Sequence, residues 1–341
     1  MKTVAITGAS GYVAGFTIAE FLNNGYAVRA SLRSLDKVDS IKKNLATQVP
    51  QDILDQNLHF FVADLTSEKG WQEGIAQTDA VIHIASPLGL GGESPAELKK
   101  IAVDGTLHVL QAAQAVGVTR IVMTSSQAAI IPKDITQDIT LDETHWTDEN
   151  DKLDGYRLSK VASEKAAWEY AQQNNLQLTT ILPGAVFGPI MSTKDIGTSQ
   201  FLLVLLNGTL KKSINCIFQI CDVRDVATLH RLALETPTAI GERFNAASQS
   251  IMMPQIAELY RKQYPNALVP TKIYANGTVR FLSMFIKKLK PTLLLIQRKY
   301  KHTTQKAQTL LNFQPRPLET TLLDAAHSFD QFGLIKYKTQ S

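Results

Sequence analysis

Tyr156 and Lys160 stand in the stretch DGYRLSK, residues 154–160. Four positions separate them, about one helical turn, so on a helix their side chains share a face. A phenol beside an ammonium can pass a proton to or from a bound molecule. The same two residues can also form the wet outer face of a helix. The chain holds nine tyrosines, and only Tyr156 has a lysine four positions later. The pair alone leaves both readings open, and the decision rests on the elements around it.

The N-terminal stretch VAITGASGYVAG (4–15) carries a second kind of chemistry, with Gly8, Gly11 and Ala14 between an apolar run and a helical pattern. Gly8 permits a tight turn, Gly11 lets a diphosphate approach the backbone, and Ala14 lets the helix pack close to the strand. The free N–H groups and partial positive charge of the helix start then face the phosphates. The spacing is Gly-x-x-Gly-x-x-Ala rather than the general Gly-x-Gly-x-x-Gly. Its place directly after a strand and before a helix is what points to a dinucleotide. At the end of the second strand, RASLRSLDK (29–37), no carboxylate occurs from Arg29 to Leu35, where an NAD site usually carries one. Arg33 stands there instead and suits the 2′-phosphate of NADP, with Lys37 assisting. Asp64, near the end of LHFFVADL (58–65), is placed to meet the adenine.

These residues need a scaffold, and the first half of the chain alternates in the way that supplies one. TVAITG (3–8) reads as a strand, followed by a helix with Ile18, Phe21 and Leu22 on one face and a stop at Asn24-Gly25. AVRASLR and LHFFVADL read as strands, SEKGWQEGIA as a short helix, and DAVIHIASP (79–87) as a buried strand. Residues 95–116 form a helix with Ala102, Leu107, Leu110 and Ala113 on one side, RIVMTSS (120–126) a strand, and 156–174 an alanine-rich helix. LQLTTILPGAVFGP (176–189) begins as a strand and ends in a Pro/Gly loop. Near-continuous apolar strands alternating with helices mean a parallel sheet covered on both faces. The expected fold is α/β, a doubly wound Rossmann sheet with a smaller, mostly helical C-terminal part. Residues 1–189 are expected to bind the dinucleotide, with a strand and helix near 214–235 returning to them, and 190–341 to bind substrate. Within 281–301, FLSMFIKKLKPTLLLIQRKYK mixes apolar and basic residues around Pro291. It reads as part of a small lid with wet lysines, a membrane-surface helix being the alternative. The tail ends in an amphipathic helix.

Bulk properties exclude several classes. A net charge of +4 over 341 residues, without a dense basic run, gives no case for nucleic acid. The hydrophobic share of 44% and charged share of 19% are those of an ordinary globular protein. No stretch reaches the roughly 18 apolar residues that span a membrane, and the N-terminal apolar run is too short for a signal segment. The two cysteines, Cys216 and Cys221, read as reduced core thiols and not as a metal or disulfide site. A cytoplasmic location is expected.

Taken in order, the glycine turn, ADL, VIHIASP, VDGTLHVLQAA, VMTSS, YRLSK, LPGAVFGP and DVRDVA resemble the extended short-chain dehydrogenase/reductases, in the branch of the dihydroflavonol and aldehyde/ketone reductases. The resemblance runs from residue 1 to about residue 248, and thinly to the C-terminal helix. Ala14 replaces a third glycine, which that branch tolerates. Leu182 precedes Pro183 where nucleotide-sugar epimerases of the wider family often carry arginine, so the reductase branch is favoured. The resemblance implies that Tyr156 is the general acid in carbonyl reduction. Lys160 would lower the tyrosine's pKa from about 10 by roughly 1–3 units and bind the nicotinamide ribose. Ser126 would hydrogen-bond the substrate oxygen, with Ser125 its rival by one place. It implies cofactor contacts at Gly8, Ser10, Gly11, Tyr12, Val13, Arg33, Lys37, Asp64, Leu65, Ala85, Ser86, Pro87, Thr124, Tyr156 and Lys160. The backbone around Pro183 and Val186 would hold the carboxamide, and no metal takes part.

The activity implied is NADPH-dependent reduction of an aldehyde or ketone, with NADP(H) as cofactor and a small carbonyl compound as partner. The alternatives are an epimerase or dehydratase acting on a nucleotide sugar, a hydroxysteroid-type dehydrogenase, and a non-catalytic sensor of nicotinamide. LGLGGES (88–94), AAIIPKD (128–134), MSTKDIG (191–197) and NGTLKKS (207–213) are the expected pocket walls, in a monomer or homodimer. Arg33→Ala should weaken NADPH roughly ten- to a hundred-fold and leave NADH nearly unchanged. Kinetics with both cofactors on parent and variant would check it; equal loss for both, or a parent that prefers NADH, would make Arg33 a surface residue.

Overall fold

The apolar runs become strands because both of their faces are covered. Thr3–Ile6 (β1), Ala27–Leu32 (β2), Leu58–Val62 (β3), Ala80–His83 (β4) and Arg120–Thr124 (β5) join Gln177–Leu182 and Arg243–Asn245 in one sheet. The short strand Thr140–Leu141 is β6, so these last two are β7 and, after Ala185–Phe187 (β8), Ser213–Ile214 (β9) and Ile217–Asp222 (β10), β11. The sheet order is β11-β7-β5-β4-β1-β2-β3, and every pairing in it is parallel. The chain is described here by a computed structural model, which covers residues 1–341 apart from 88, 90, 91, 150–152, 286–289 and 339–341.

Alternate residues of the strands feed two cores. Val4, Ile6, Val28, Ile82, Val122 and Ile181 face the helices Tyr12–Asn23 (α1) and Val223–Glu235. Ala5, Val81, Ile121 and Leu178 face the opposite layer, which includes Pro95–Ala115 and Gly155–Gln173. With Val38–Leu45 (α2), Gln51–Asn57 (α3), Trp71–Ile75 (α4) and Gln200–Leu206 (α7) counted in chain order, these last three helices are α5, α6 and α8. On α1, Ile18, Phe21 and Leu22 are wholly buried. Such side chains contribute about 1.5–3 kcal/mol each.

Local chemistry sets the helix starts. Ser94 caps α5 and exchanges bonds with Glu97, with Pro95 in the first turn. Asp154 caps α6 by accepting from the Arg157 N–H at 2.9 Å. Helix α1 starts at Gly11, whose lack of a side chain leaves its first N–H groups without a side-chain cap.

The second half departs from the sequence reading in two places. Ala185–Phe187, expected as loop, is β8, and it pairs with β10 and Gln249–Met252 (β12) in a separate three-stranded sheet. The strand that returns to the main sheet is therefore β11, at 243–245, and not the one beside α8. Pro183-Gly184 explains this, because it turns the chain out of β7 and starts a new sheet instead of ending structure. An added Cβ at Gly184 would lie 2.4 Å from the Gln219 carbonyl oxygen, so only glycine lets β8 approach β10 at that point. Around the second sheet lie Met253–Gln263 (α9), Ile273–Tyr274 (β13), Asn276–Phe285 (α10), Lys290–Gln297 (α11), Lys301–His302 (β14), Gln305–Leu311 (α12) and Leu318–Gln331 (α13). The 281–301 stretch thus contains parts of two helices; residues 286–289, between them, lie outside the described residues. Phe281, Met284 and Phe285 on α10 are 57%, 65% and 72% exposed. Among the described residues no helix is long and apolar enough to cross a membrane.

One buried ion pair joins α6 to the sheet. Arg243 donates from Nε and Nη2 to the Glu164 carboxylate at 2.9 and 3.1 Å, and its guanidinium lies 3.5 Å from the centre of the Trp146 ring. Its Nη1 also donates to the carbonyls of Glu143 and His145. Removing one member of such a pair strands the other. Arg243→Met should therefore cost about 3–5 kcal/mol of stability in chemical denaturation, and a loss below about 1 kcal/mol would contradict this account of the core.

Candidate active site

Tyr156 and Lys160 occupy the first turns of α6, and their environments differ. Lys160 is 5% exposed, and its Nζ donates to the Thr124 carbonyl at 3.2 Å. Burial lowers its pKa to about 8 against the opposing pull of Glu164. Tyr156 is 37% exposed, yet its hydroxyl lies deep enough that burial raises its pKa. A hydrogen bond with the Ser126 side chain and the charge of Arg157 pull the other way. The phenol is thus not depressed by Lys160, as the resemblance implied; burial keeps it protonated, and the positive charge acting on it is that of Arg157. Beneath the lysine, His83 is pushed down to about 3 by burial and by Lys160, so it stays neutral between the Thr7 and Thr106 hydroxyls.

The two serines after β5 point to different tasks. Ser125 is buried and donates to Glu164 Oε2 at 2.6 Å. Ser126 is half-buried and meets Tyr156. The Ser126 Oγ also accepts from the Ala128 N–H at 3.1 Å, starting the turn 127–130.

The glycine turn lies at the open end of β1. Gly8 has φ +80°, and a Cβ there would come within 3.1 Å of the Ala85 side chain. Its N–H donates to Ser31 Oγ at 2.9 Å. A Cβ on Gly11 would stand 3.3 Å from the Gly8 carbonyl oxygen. Ser10 is exposed and Val13 half-buried beside this turn, and Ala14 is buried. Tyr12 differs from expectation in that its side chain turns inward. Its hydroxyl donates to the Pro189 carbonyl at 3.0 Å and lies 3.2 Å from Ser199 Oγ, so only its backbone faces the turn.

Arg33 is exposed at the tip of β2, and its charge lowers the pKa of Asp64. Asp64 accepts from the N–H and hydroxyl of Thr66 at 2.8 and 2.7 Å. The charge of Lys37 acts on Asp195, whose pKa burial raises. The Asp195 carboxylate also takes a backbone bond from Tyr12, at the start of α1. Sequence reasoning missed this acid, which sits in MSTKDIG, a stretch read only as pocket wall. Ala85, Ser86 and Pro87 follow β4 as a half-buried loop, while Leu65 packs against Gly105. Leu88, Leu90 and Gly91 of the expected wall lie outside the described residues.

Three expected contacts are partly engaged within the protein. The Thr124 hydroxyl bonds His230 Nε2 at 2.7 Å, leaving its carbonyl to Lys160. The Pro183 carbonyl accepts from the Gln127 N–H at 2.9 Å, and the Val186 carbonyl accepts from the Thr198 hydroxyl. Each carbonyl keeps a second lone pair. Glu164, four residues beyond Lys160 on the same helical face, is the member of the site that sequence reasoning overlooked. The repeated four-residue spacing 156, 160, 164 was the available signal.

Comparison with known proteins then adds an independent line. Residues 4–247 match the model of the NAD dependent epimerase/dehydratase family. Anthocyanidin reductase ((2S)-flavan-3-ol-forming) of Vitis vinifera is 31% identical over 287 residues, covering 79% of this chain and 83% of that protein. Dihydroflavonol 4-reductase of Callistephus chinensis is 31% identical over 279 residues, covering 79% and 75%. The structure of Gre2 in complex with NADPH from Candida albicans superposes with a TM-score of 0.79 at 26% identity, covering 97% and 99%.

The buried ammonium has a consequence for stability. Lys160 binds its proton less tightly when folded, at about 8 against an ordinary 10.5. The unfolded chain therefore holds more protons between those values, and stability rises with pH across that window. Lys160→Met should accordingly melt no lower than the parent at pH 7, without ligand. Its advantage should shrink as the pH passes 8 toward 10. Melting curves at several pH values test this, and a variant several degrees less stable at pH 7 would refute it.

Proposed function

The chain belongs to the NAD dependent epimerase/dehydratase family, and from that premise we propose that it is an NADPH-dependent reductase of aldehydes or ketones acting through Ser126, Tyr156 and Lys160. The observation that carries this reading is the division between the two serines. Ser125 is committed to Glu164, and Ser126 is left beside the Tyr156 hydroxyl. A carbonyl oxygen set between the Ser126 and Tyr156 hydroxyls receives two hydrogen bonds, the arrangement that lowers the cost of charge building on that oxygen.

The reduced nicotinamide, when bound, supplies the hydride to the carbonyl carbon. Tyr156 gives its hydroxyl proton to the carbonyl oxygen, so that the product is a neutral alcohol. Burial favours the protonated phenol before the reaction, which is the state an acid needs. The charge of Arg157 favours the phenolate that forms, and Lys160, with a pKa of about 8, carries a proton it can release near neutral pH. Gly8, Gly11 and the start of α1 fit a diphosphate: the turn has little room for side chains, and Gly11 at the N-cap has no side chain to cap the helix. Arg33, with no carboxylate before it on the strand end, supports NADPH over NADH. The complex of Gre2 with NADPH supports the same cofactor. The reductase names of the relatives support the direction of the reaction.

The test follows cofactor absorbance over a panel of aldehydes, diketones, keto-esters and a dihydroflavonol. Tyr156→Phe should keep the fold and NADPH binding but lose about 10²–10⁴-fold in turnover. A variant within threefold of its parent would end the assignment of the acid.

A further inference from the structure

Among the described residues, Arg298 is a guanidinium without an acid. It follows α11 and is half-buried on the C-terminal part, where its Cζ lies over the Tyr300 ring, 4.4 Å from the ring centre. Its Nε donates to the Tyr300 carbonyl at 3.4 Å and its Nη2 lies 3.2 Å from His302 Nδ1. Among the described residues no carboxylate pairs with it, and its Nη1 makes no hydrogen bond. Arginine presents five N–H donors, so most of this fork is unused. Burial and the nearby charge of Arg157 both disfavour the cation, and the adjacent Tyr300 only partly offsets them.

The place of this charge is what gives it meaning. Arg157 directly follows Tyr156, and its own partner is Asp154. His302 reaches from the Arg298 side to the Ile130 carbonyl at 3.0 Å, the last residue of the turn that begins after Ser126. The Arg298 cluster is thus held against the Ser126 turn and next to the Tyr156 turn. His302 cannot balance it, because burial holds its pKa down at about 3 and the ring stays neutral. Among the described residues, two guanidiniums against the carboxylate of Asp154 leave one positive charge uncompensated. A half-buried charge without an anionic partner has lost part of its hydration, and a ligand that supplies the anion offsets that loss. The surplus of one charge matches a carboxylate better than a dianionic phosphate. The unengaged Nη1 belongs to a planar fork of donors, the group that binds a carboxylate with two parallel bonds.

We propose that the substrate is an oxo acid, whose carboxylate docks between Arg298 and Arg157 while its carbonyl meets Ser126 and Tyr156. This rests on the reductase reading above and adds the substrate class to it. Arg298 would select the substrate without touching the reacting atoms.

The experiment uses matched pairs: 3-oxobutanoate and 4-oxopentanoate, each against its methyl ester, with NADPH and the full chain. The acid should exceed its ester at least tenfold in kcat/KM for one pair. Arg298→Gln should raise KM for that acid at least tenfold with a smaller change in kcat, bringing the acid-to-ester ratio toward one, and Arg298→Lys should fall between. A parent that reduces the esters as well as the acids overturns the inference, and this comparison holds even if the variants fold poorly. So does an Arg298→Gln variant that loses equally on both, which would mark a purely structural arginine. An oxo phosphate preferred over both acids would overturn the choice of carboxylate. If esters and simple aldehydes are reduced and only the preference is missing, the reductase reading survives; if no carbonyl compound is reduced, both fall.

Discussion

The carboxylate of Glu164 is the constraint on which the arrangement of the site depends. It is wholly buried and accepts from Ser125, Thr180, Trp168 and both donating nitrogens of Arg243. Those donors come from the residue that follows β5 and from β7, α6 and β11, so one residue ties the candidate acid's helix to the sheet. A buried charge is tolerated only when its lone pairs are satisfied, and here the satisfaction doubles as positioning. Because Ser125 is spent on Glu164, the next residue must turn the other way, and Ser126 comes to face Tyr156. Because Glu164 stands one turn past Lys160, the fixed carboxylate also fixes the height of the lysine against β5.

That linkage explains how much could be read before the structure. Parallel strands buried on both faces announce themselves by composition, and β1 to β5 with α1, α5 and α6 were legible for that reason. The glycine turn was legible because Gly8 and Gly11 answer steric demands that few residues meet. The second sheet was not, since Ala185–Phe187 is only three residues long and follows a Pro-Gly pair that reads as a loop. Its strand character comes from pairing with Ile217–Asp222, a contact between distant parts of the chain. The choice between Ser125 and Ser126 was beyond sequence as well. It turns on which hydroxyl Glu164 captures, and spacing along one strand says nothing of that. The inward turn of Tyr12 has the same origin: its partners Pro189 and Ser199 come from a later loop.

The loop 191–199 bears on both β8 and the start of α1. Thr198 holds the Val186 carbonyl, Gly197 lies so close to Tyr12 that a Cβ would fall 2.6 Å from its ring, and Asp195 brings a carboxylate to the start of α1. A helix start favours any anion, and a diphosphate with several oxygens competes well with one carboxylate. The charge of Lys37 acts on Asp195, while that of Arg33, also exposed, acts on Asp64.

Around Lys160 the charges form a line in which each member limits the next. Arg243 takes the larger share of the Glu164 charge, since it grips the carboxylate at two points. It cannot swing away, being held by the carbonyls of Glu143 and His145 and by the Trp146 ring. Glu164 therefore compensates Lys160 only in part. A fully paired lysine would keep an ordinary pKa, and an unpaired one in the same cavity would fall further by desolvation alone. Sharing one carboxylate between a fixed arginine and a lysine gives the intermediate value of about 8. With His83 neutral and the Tyr156 phenol protonated, Lys160 is the group in this cluster closest to exchanging a proton at neutral pH. The same partial compensation that makes the lysine a cost to the fold is what brings it into the range where proton transfer is efficient.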